Sequence, residues 1–187
     1  MRPSVEVFEA AANSVGAEFH HLPSKTEALA FLAQVLYDEA VTDAPGGYAV
    51  WAADSELNEV ERNSPAATHP GVRFDVTKQL AADARIGISE VAGAIAETGT
   101  LFDDSTRIER RLISTLPPVH IALLATDRIV PNLTAALTQI GPERAAYLAM
   151  ITGPSRTADI ERVLTIGVHG PSRLLILAYD RVDGGAQ

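Results

Sequence analysis

The run Pro117-Pro118-Val119-His120-Ile121-Ala122-Leu123-Leu124-Ala125 decides how this chain is read. The two prolines impose an extended entry. The seven residues after them are almost wholly apolar, which suits a strand buried on both faces, as in a parallel sheet. Downstream, Ile129-Val130-Pro131 reads as the opening of a helix with Pro131 in its first turn. Leu133, Leu137 and Ile140 share one face of that helix, and Gly141-Pro142 stop it. Two further strands are expected over Ala145 to Ile151 and Arg173 to Tyr179.

Upstream the same alternation continues. Val5, Phe8, Ala12 and Val15 have helical spacing, and Gly16 ends that helix. Ala17 to Leu22 fits a strand. Ser24-Lys25-Thr26-Glu27 fits a capping box that opens a helix whose apolar face is Leu29, Leu32, Val35 and Leu36. Tyr48 to Ala53 reads as a buried strand, Glu56 to Asn63 as a short helix and Asn63 to Gly71 as an exposed loop. Gly71 to Thr77 and Arg85 to Ser89 read as strands, and Ala94 to Phe102 as a strand pair. Strands alternating with helices predict an α/β chain with a layered, mostly parallel sheet. Residues 1–187 are read as one domain.

The chain has 187 residues, 47% of them hydrophobic, enough for a substantial core. Its formal charge is −9, from 24 acidic and 15 basic residues. That balance opposes bulk binding to nucleic acid or to an anionic membrane. There is no cysteine, so thiol nucleophiles, disulfides and cysteine-ligated zinc or iron–sulfur centres are excluded from this chain. No signal-peptide stretch and no membrane-spanning run is evident, and a cytoplasmic location is the default expectation.

Small polar clusters follow several of the apolar runs. The first is Glu97-Thr98-Gly99-Thr100. It reads either as an anion cradle with Glu97 as base or nucleophile, or as a hairpin turn with a solvated glutamate. Arg107, Arg110 and Arg111 follow. One of them could clamp an oxyanion, although a surface charge cluster is the commoner arrangement. Asp103-Asp104 would repel an anion nearby. His120, entering its strand, is more often a hydrogen-bonding structural residue than a catalyst. His169, between Gly167 and Gly170-Pro171, reads as ligand-facing.

The strongest single motif is Thr152-Gly153-Pro154-Ser155-Arg156-Thr157-Ala158-Asp159. Ser155 or Thr157 is expected to cap a short helix through Ile160, Arg162 and Leu164. Four polar side chains at one strand end exceed what capping needs, so an anion site is expected there. No histidine pair has metal-ligand spacing. The Walker A, dinucleotide and nucleophile-elbow patterns are missing.

Five segments in order carry a family resemblance: residues 94–101, 114–121, 128–131, 151–161 and 167–171. Together they resemble the LUD-domain family, in particular its lactate utilization protein C (LutC/YkgG-like) group, most clearly over 86–180. The resemblance implies a Rossmann-like fold of the NagB/RpiA/CoA-transferase-like kind. It also implies a non-redox role in oxidising L-lactate to pyruvate, beside partner proteins that carry iron–sulfur clusters. The site expected from these readings has Glu97 and His169 as catalytic residues. Its ligand-binding residues would be Thr98, Gly99, Thr100, Arg111, Ser114, His120, Thr152, Gly153, Ser155, Arg156, Thr157, Asp159 and Gly170, with a small carboxylate or phosphate as ligand. Two alternatives stand beside it. One is an independent transferase or isomerase acting on an acyl-CoA or sugar phosphate through Glu97. The other is a non-catalytic interaction scaffold.

Overall fold

The structure is a computed structural model that describes residues 3–52, 57–141, 145–160, 163–166 and 170–181. The chain begins with α1 (Pro3–Ser14), β1 (Glu18–Leu22), α2 (Lys25–Asp38), β2 (Ala49–Ala52), α3 (Glu59–Arg62), β3 (Val72–Arg73) and α4 (Lys78–Asp83). It continues through β4 (Ile86–Glu90), β5 (Gly93–Ile95), β6 (Thr100–Asp104), α5 (Ile108–Thr115) and β7 (Val119–Ala125). The remaining elements are β8 (Ile129–Val130), α6 (Leu133–Ile140), β9 (Leu148–Thr152), β10 (Arg156–Ile160), β11 (Val163–Ile166) and β12 (Arg173–Tyr179).

β7 is buried at every position because it lies inside a six-stranded sheet of order β1-β12-β7-β4-β2-β3. All five pairings in that sheet are parallel. Alternation along the strands sorts the core. Val119, Ile121 and Leu123 join Leu175, Leu177 and Trp51 beneath Leu29, Leu32 and Leu36 of α2. Ala122 and Leu124 join Leu174 and Ile176 on the other face, against Val5, Phe8 and Ala12 of α1. A four-stranded sheet of order β8-β5-β6-β9 lies on that second face, and α6 packs against it through Ala136. The expected α/β class with a mostly parallel sheet is therefore the observed one.

Local details differ in several places, among them the loop expected to be exposed over residues 63–71, which buries Ser64, Ala66 and Ala67. Ile129 and Val130 form β8, paired in parallel with Ala94 and Ile95. The helix begins after Asn132, whose Oδ1 accepts the Ala135 N–H at 3.0 Å, so Pro131 precedes the cap. The helix expected after Ser155 is instead a hairpin in which Arg156 pairs with Ile166 and Thr157 with Thr165. Its β-branched residues favour strand geometry over the capping signals. Finally, the strand expected over residues 71–77 shrinks to β3, because Thr77 caps α4 by accepting the Leu80 N–H. Neither α4 nor α5 was anticipated.

Candidate functional site

The main sheet has two edges, and both carry polar hollows. The amino edge holds much of the cluster expected from sequence. Ser114, Thr152, Gly153, Ser155, Arg156 and Gly170 line one surface hollow together with Val15 and Pro171. It lies at the amino edge because Ser155 N–H donates to Pro171 O and Ser172 N–H to Pro118 O, just before β12 and β7.

Many of the expected groups, in that hollow and near it in the sequence, are engaged within the protein. Thr98 Oγ1 donates to Thr100 Oγ1 at 2.7 Å, and Thr100 and Thr152 share a 2.8 Å hydroxyl contact across the β6–β9 ladder. Ser114 Oγ donates back to the carbonyls of Arg110 and Arg111. Arg156 Nη2 donates to Val15 O. Gly99 has φ +65°, and a Cβ there would stand 2.4 Å from Ala12 N. Gly153 has φ +67°, with Val15 O at 2.3 Å from such a Cβ. The close approach that both glycines permit is thus to the end of α1.

The other expected residues are dispersed. Glu97 is exposed on the β5–β6 turn and lines none of these hollows. The Arg111 guanidinium sits over the Tyr147 ring, 5.0 Å from its centroid. His120 is buried inside β7, with Nε2 2.8 Å from Ser89 Oγ. Burial pushes its pKa down to about 4, so the ring is neutral near pH 7. Thr157 and Asp159 lie on β10, and nothing is described of their side chains. His169 lies outside the described residues.

The carboxyl edge was missed. Open α/β sheets usually bind ligands there, beyond the ends of the strands. β4 ends at Glu90 and β12 at Tyr179. The Tyr179 hydroxyl donates to Glu90 Oε1 at 2.6 Å, and Lys25 Nζ donates to Glu90 Oε2 at 2.8 Å. Lys25 also pairs with Glu61 at 3.0 Å. Burial disfavours the Glu90 charge, but hydrogen bonds from Lys25 and Tyr179 outweigh it and hold its pKa below the usual value. Burial likewise opposes charge on Lys25, yet Glu90 and Glu61 raise its pKa. Burial and the Glu90 charge push the Tyr179 hydroxyl up, so it stays a proton donor.

Glu90 separates two crevices. One, of about 750 Å³, is lined by Ser24, Thr26, Asn58, Asn63, Tyr179 and Asp180, among others. The second, about 440 Å³, receives Arg107, Arg110, Arg128 and Arg181 alongside Asp103 and Asp104. Arg110 Nη1 donates to Asp103 Oδ1 at 2.8 Å and to Glu90 O at 3.0 Å. Burial raises the Asp103 pKa, against the pull of Arg110. In sequence, Glu90 and Tyr179 each close an apolar run, as Thr152 does. Among the described residues, no group of three or more His, Asp or Glu is placed to hold a metal ion. No helix among them is long and apolar enough to cross a membrane.

An all-parallel central sheet with polar crevices beyond its strand ends defines a Rossmann-like α/β protein. The family model described as LUD domain matches residues 5–179, and the chain belongs to that family. It is 32% identical over 167 residues to lactate utilization protein C of Bacillus subtilis strain 168, covering 78% of this chain and 70% of that protein. It is 35% identical over 107 residues to lactate utilization protein C of Oceanobacillus iheyensis, covering 54% and 46%. A protein of the same name from an Exiguobacterium species is 36% identical over 113 residues, covering 57% and 49%. The matched segments span about half the length of several of these relatives. A crystal structure of a DUF162 family protein from Deinococcus radiodurans shares the fold, with TM-score 0.69 and 21% identity. That match covers 94% of this chain and 96% of the other.

Proposed function

We propose that this protein is a non-redox component of an L-lactate utilization system, acting in the cytoplasm beside iron–sulfur partner chains. The similarity to the Bacillus subtilis lactate utilization protein C over 78% of this chain carries the reading. The cysteine-free sequence fits it, because cysteine-ligated clusters would have to reside on other chains. The contribution proposed for this chain is to bind a small carboxylate or phosphate. Two hollows hold groups suited to such a ligand. They are the amino-edge hollow with Ser155 and Arg156, and the arginine-bearing crevice at the carboxyl edge. The transferase reading through Glu97 gains nothing from the geometry, since that residue stands exposed on a turn.

Deletion of the gene in its host tests the role. Growth on L-lactate as sole carbon source should fail while growth on glucose persists, and the intact gene should restore it. Unchanged growth on lactate would overturn the proposal.

A further inference from the structure

We propose that the crevice at the carboxyl edge, with Arg128 and Arg181 as its principal cationic groups, is the oxyanion site of this chain. The inference rests on the reading that the chain binds a small carboxylate or phosphate, and it assigns the place. Four arginines reach this crevice from three separate parts of the sequence: Arg107 and Arg110 at the start of α5, Arg128 after β7 and Arg181 after β12. Such convergence is unexpected on a chain with a formal charge of −9.

The acids in the crevice already have internal partners. The Asp103 carboxylate is 6% exposed and bonded to Arg110. The Glu90 carboxylate is held by Lys25 and Tyr179. Asp104 Oδ1 accepts the Thr106 N–H at 3.0 Å. The repulsion expected from Asp103-Asp104 is thereby reduced. Of the four cations, Arg128 and Arg181 keep the most donors to spare. The Arg128 side chain is exposed and makes no hydrogen bond or ion pair with the described residues. Arg181 has Asp127 at 3.6 Å, too long for a hydrogen bond, and its guanidinium also bonds to the Tyr179 hydroxyl, which leaves further N–H donors for a ligand. Its charge also reaches the Glu90–Tyr179 pair, where it favours the ionised forms.

The amino-edge hollow differs on this point. Ser114, Thr152 and Arg156 each bond to protein oxygens there. Ser114 has spent its hydroxyl proton, and this hollow offers the single guanidinium of Arg156 against the four arginines of the other crevice. In the arginine crevice, guanidinium groups can present paired N–H donors to a carboxylate or a phosphate with little rearrangement.

The test is calorimetry on the full chain at near-physiological ionic strength, with L-lactate and inorganic phosphate as separate probes. Wild type, Arg128→Ala, Arg181→Ala and Arg156→Ala are compared, each checked for folding by circular dichroism. At least one probe should bind saturably to wild type. Arg128→Ala and Arg181→Ala should each weaken it about ten- to a hundredfold, the range of a lost charge-assisted hydrogen bond, while Arg156→Ala leaves it unchanged. Neither probe saturating by about 10 mM, well above the ~1 mM that marks weak specific binding, would overturn the assignment. So would loss of binding in Arg156→Ala alone, or equal affinity in all variants. If deletion leaves lactate growth intact but phosphate binding still depends on Arg128, the lactate reading falls and the site stands. If growth on lactate requires the gene but binding ignores Arg128, the site falls and the lactate reading stands.

Discussion

The Tyr179 hydroxyl donates to the Glu90 carboxylate across 2.6 Å, although the two residues close strands separated by β7. The bond spans the three adjacent inner strands β12, β7 and β4 at the edge where the crevices open. Lys25 completes it from the first turn of α2.

This contact predicts a pH dependence. Glu90 has a lowered pKa, so its stabilisation is present above the ordinary carboxylate range and is lost as pH falls through the folded value. Lys25 has a raised pKa, so its contribution is present below the ordinary lysine value and is lost as pH rises through the folded one. Glu90→Gln should cost about 1.5–3 kcal/mol at pH 7, the range for hydrogen bonds to a charged group. The penalty should shrink on acidification. Urea unfolding at pH 7 and pH 3.5 measures both quantities, and an equal penalty at the two values would contradict the account.

His120 predicts a second dependence, of opposite origin. Its folded pKa of about 4 lies below the ordinary 6.5, so the unfolded chain binds the extra proton more readily. Stability should fall by up to about 3 kcal/mol as pH drops from 6.5 to 4. His120→Gln, which keeps an amide near the Ser89 hydroxyl, should flatten that interval in a series of denaturant titrations.

Gly99→Ala should be strongly destabilising. It combines φ +65° with a Cβ 2.4 Å from the Ala12 backbone. A loss above about 2 kcal/mol is expected, since backbone strain and overpacking add. Gly46→Ala has a similar φ of +80° but open space around the added methyl, so it isolates the conformational cost, about 1–2 kcal/mol. Thermal melts of the pair separate the two effects.

Thr152→Val removes one end of the hydroxyl chain through Thr100, which is buried. A loss of about 1–2 kcal/mol in stability is expected, with unchanged affinity for lactate and phosphate. Altered affinity at equal stability would return the ligand to the amino edge.

The centre of the main sheet was legible because its inner strands are buried on both faces. The runs at Val119–Ala125 and Arg173–Tyr179 announce themselves without reference to the rest of the chain. The site was harder to see. Lys25 and Tyr179 stand 65 and 89 positions from Glu90, and each of the three sits in an ordinary local context. Only the sheet order brings them together. Gly99 and Gly153 both stand among the residues expected to bind a ligand. A sequence shows that a glycine leaves room but not what fills it, and here it is the end of α1. The β10–β11 hairpin was missed because Ser155 and Thr157 are good helix caps and also acceptable strand residues.

The sheet order also sets the timing of assembly. β1 is the first of the described strands to leave the ribosome, yet its one neighbour among them is β12, the last of them in sequence. It must wait through most of synthesis without a ladder partner. Glu18, His20 and His21 make three of its five residues polar or ionisable, which discourages pairing with the wrong edge meanwhile. Closure across more than 150 residues makes this step non-local and therefore slow, so refolding should be limited by the docking of β1 and β12.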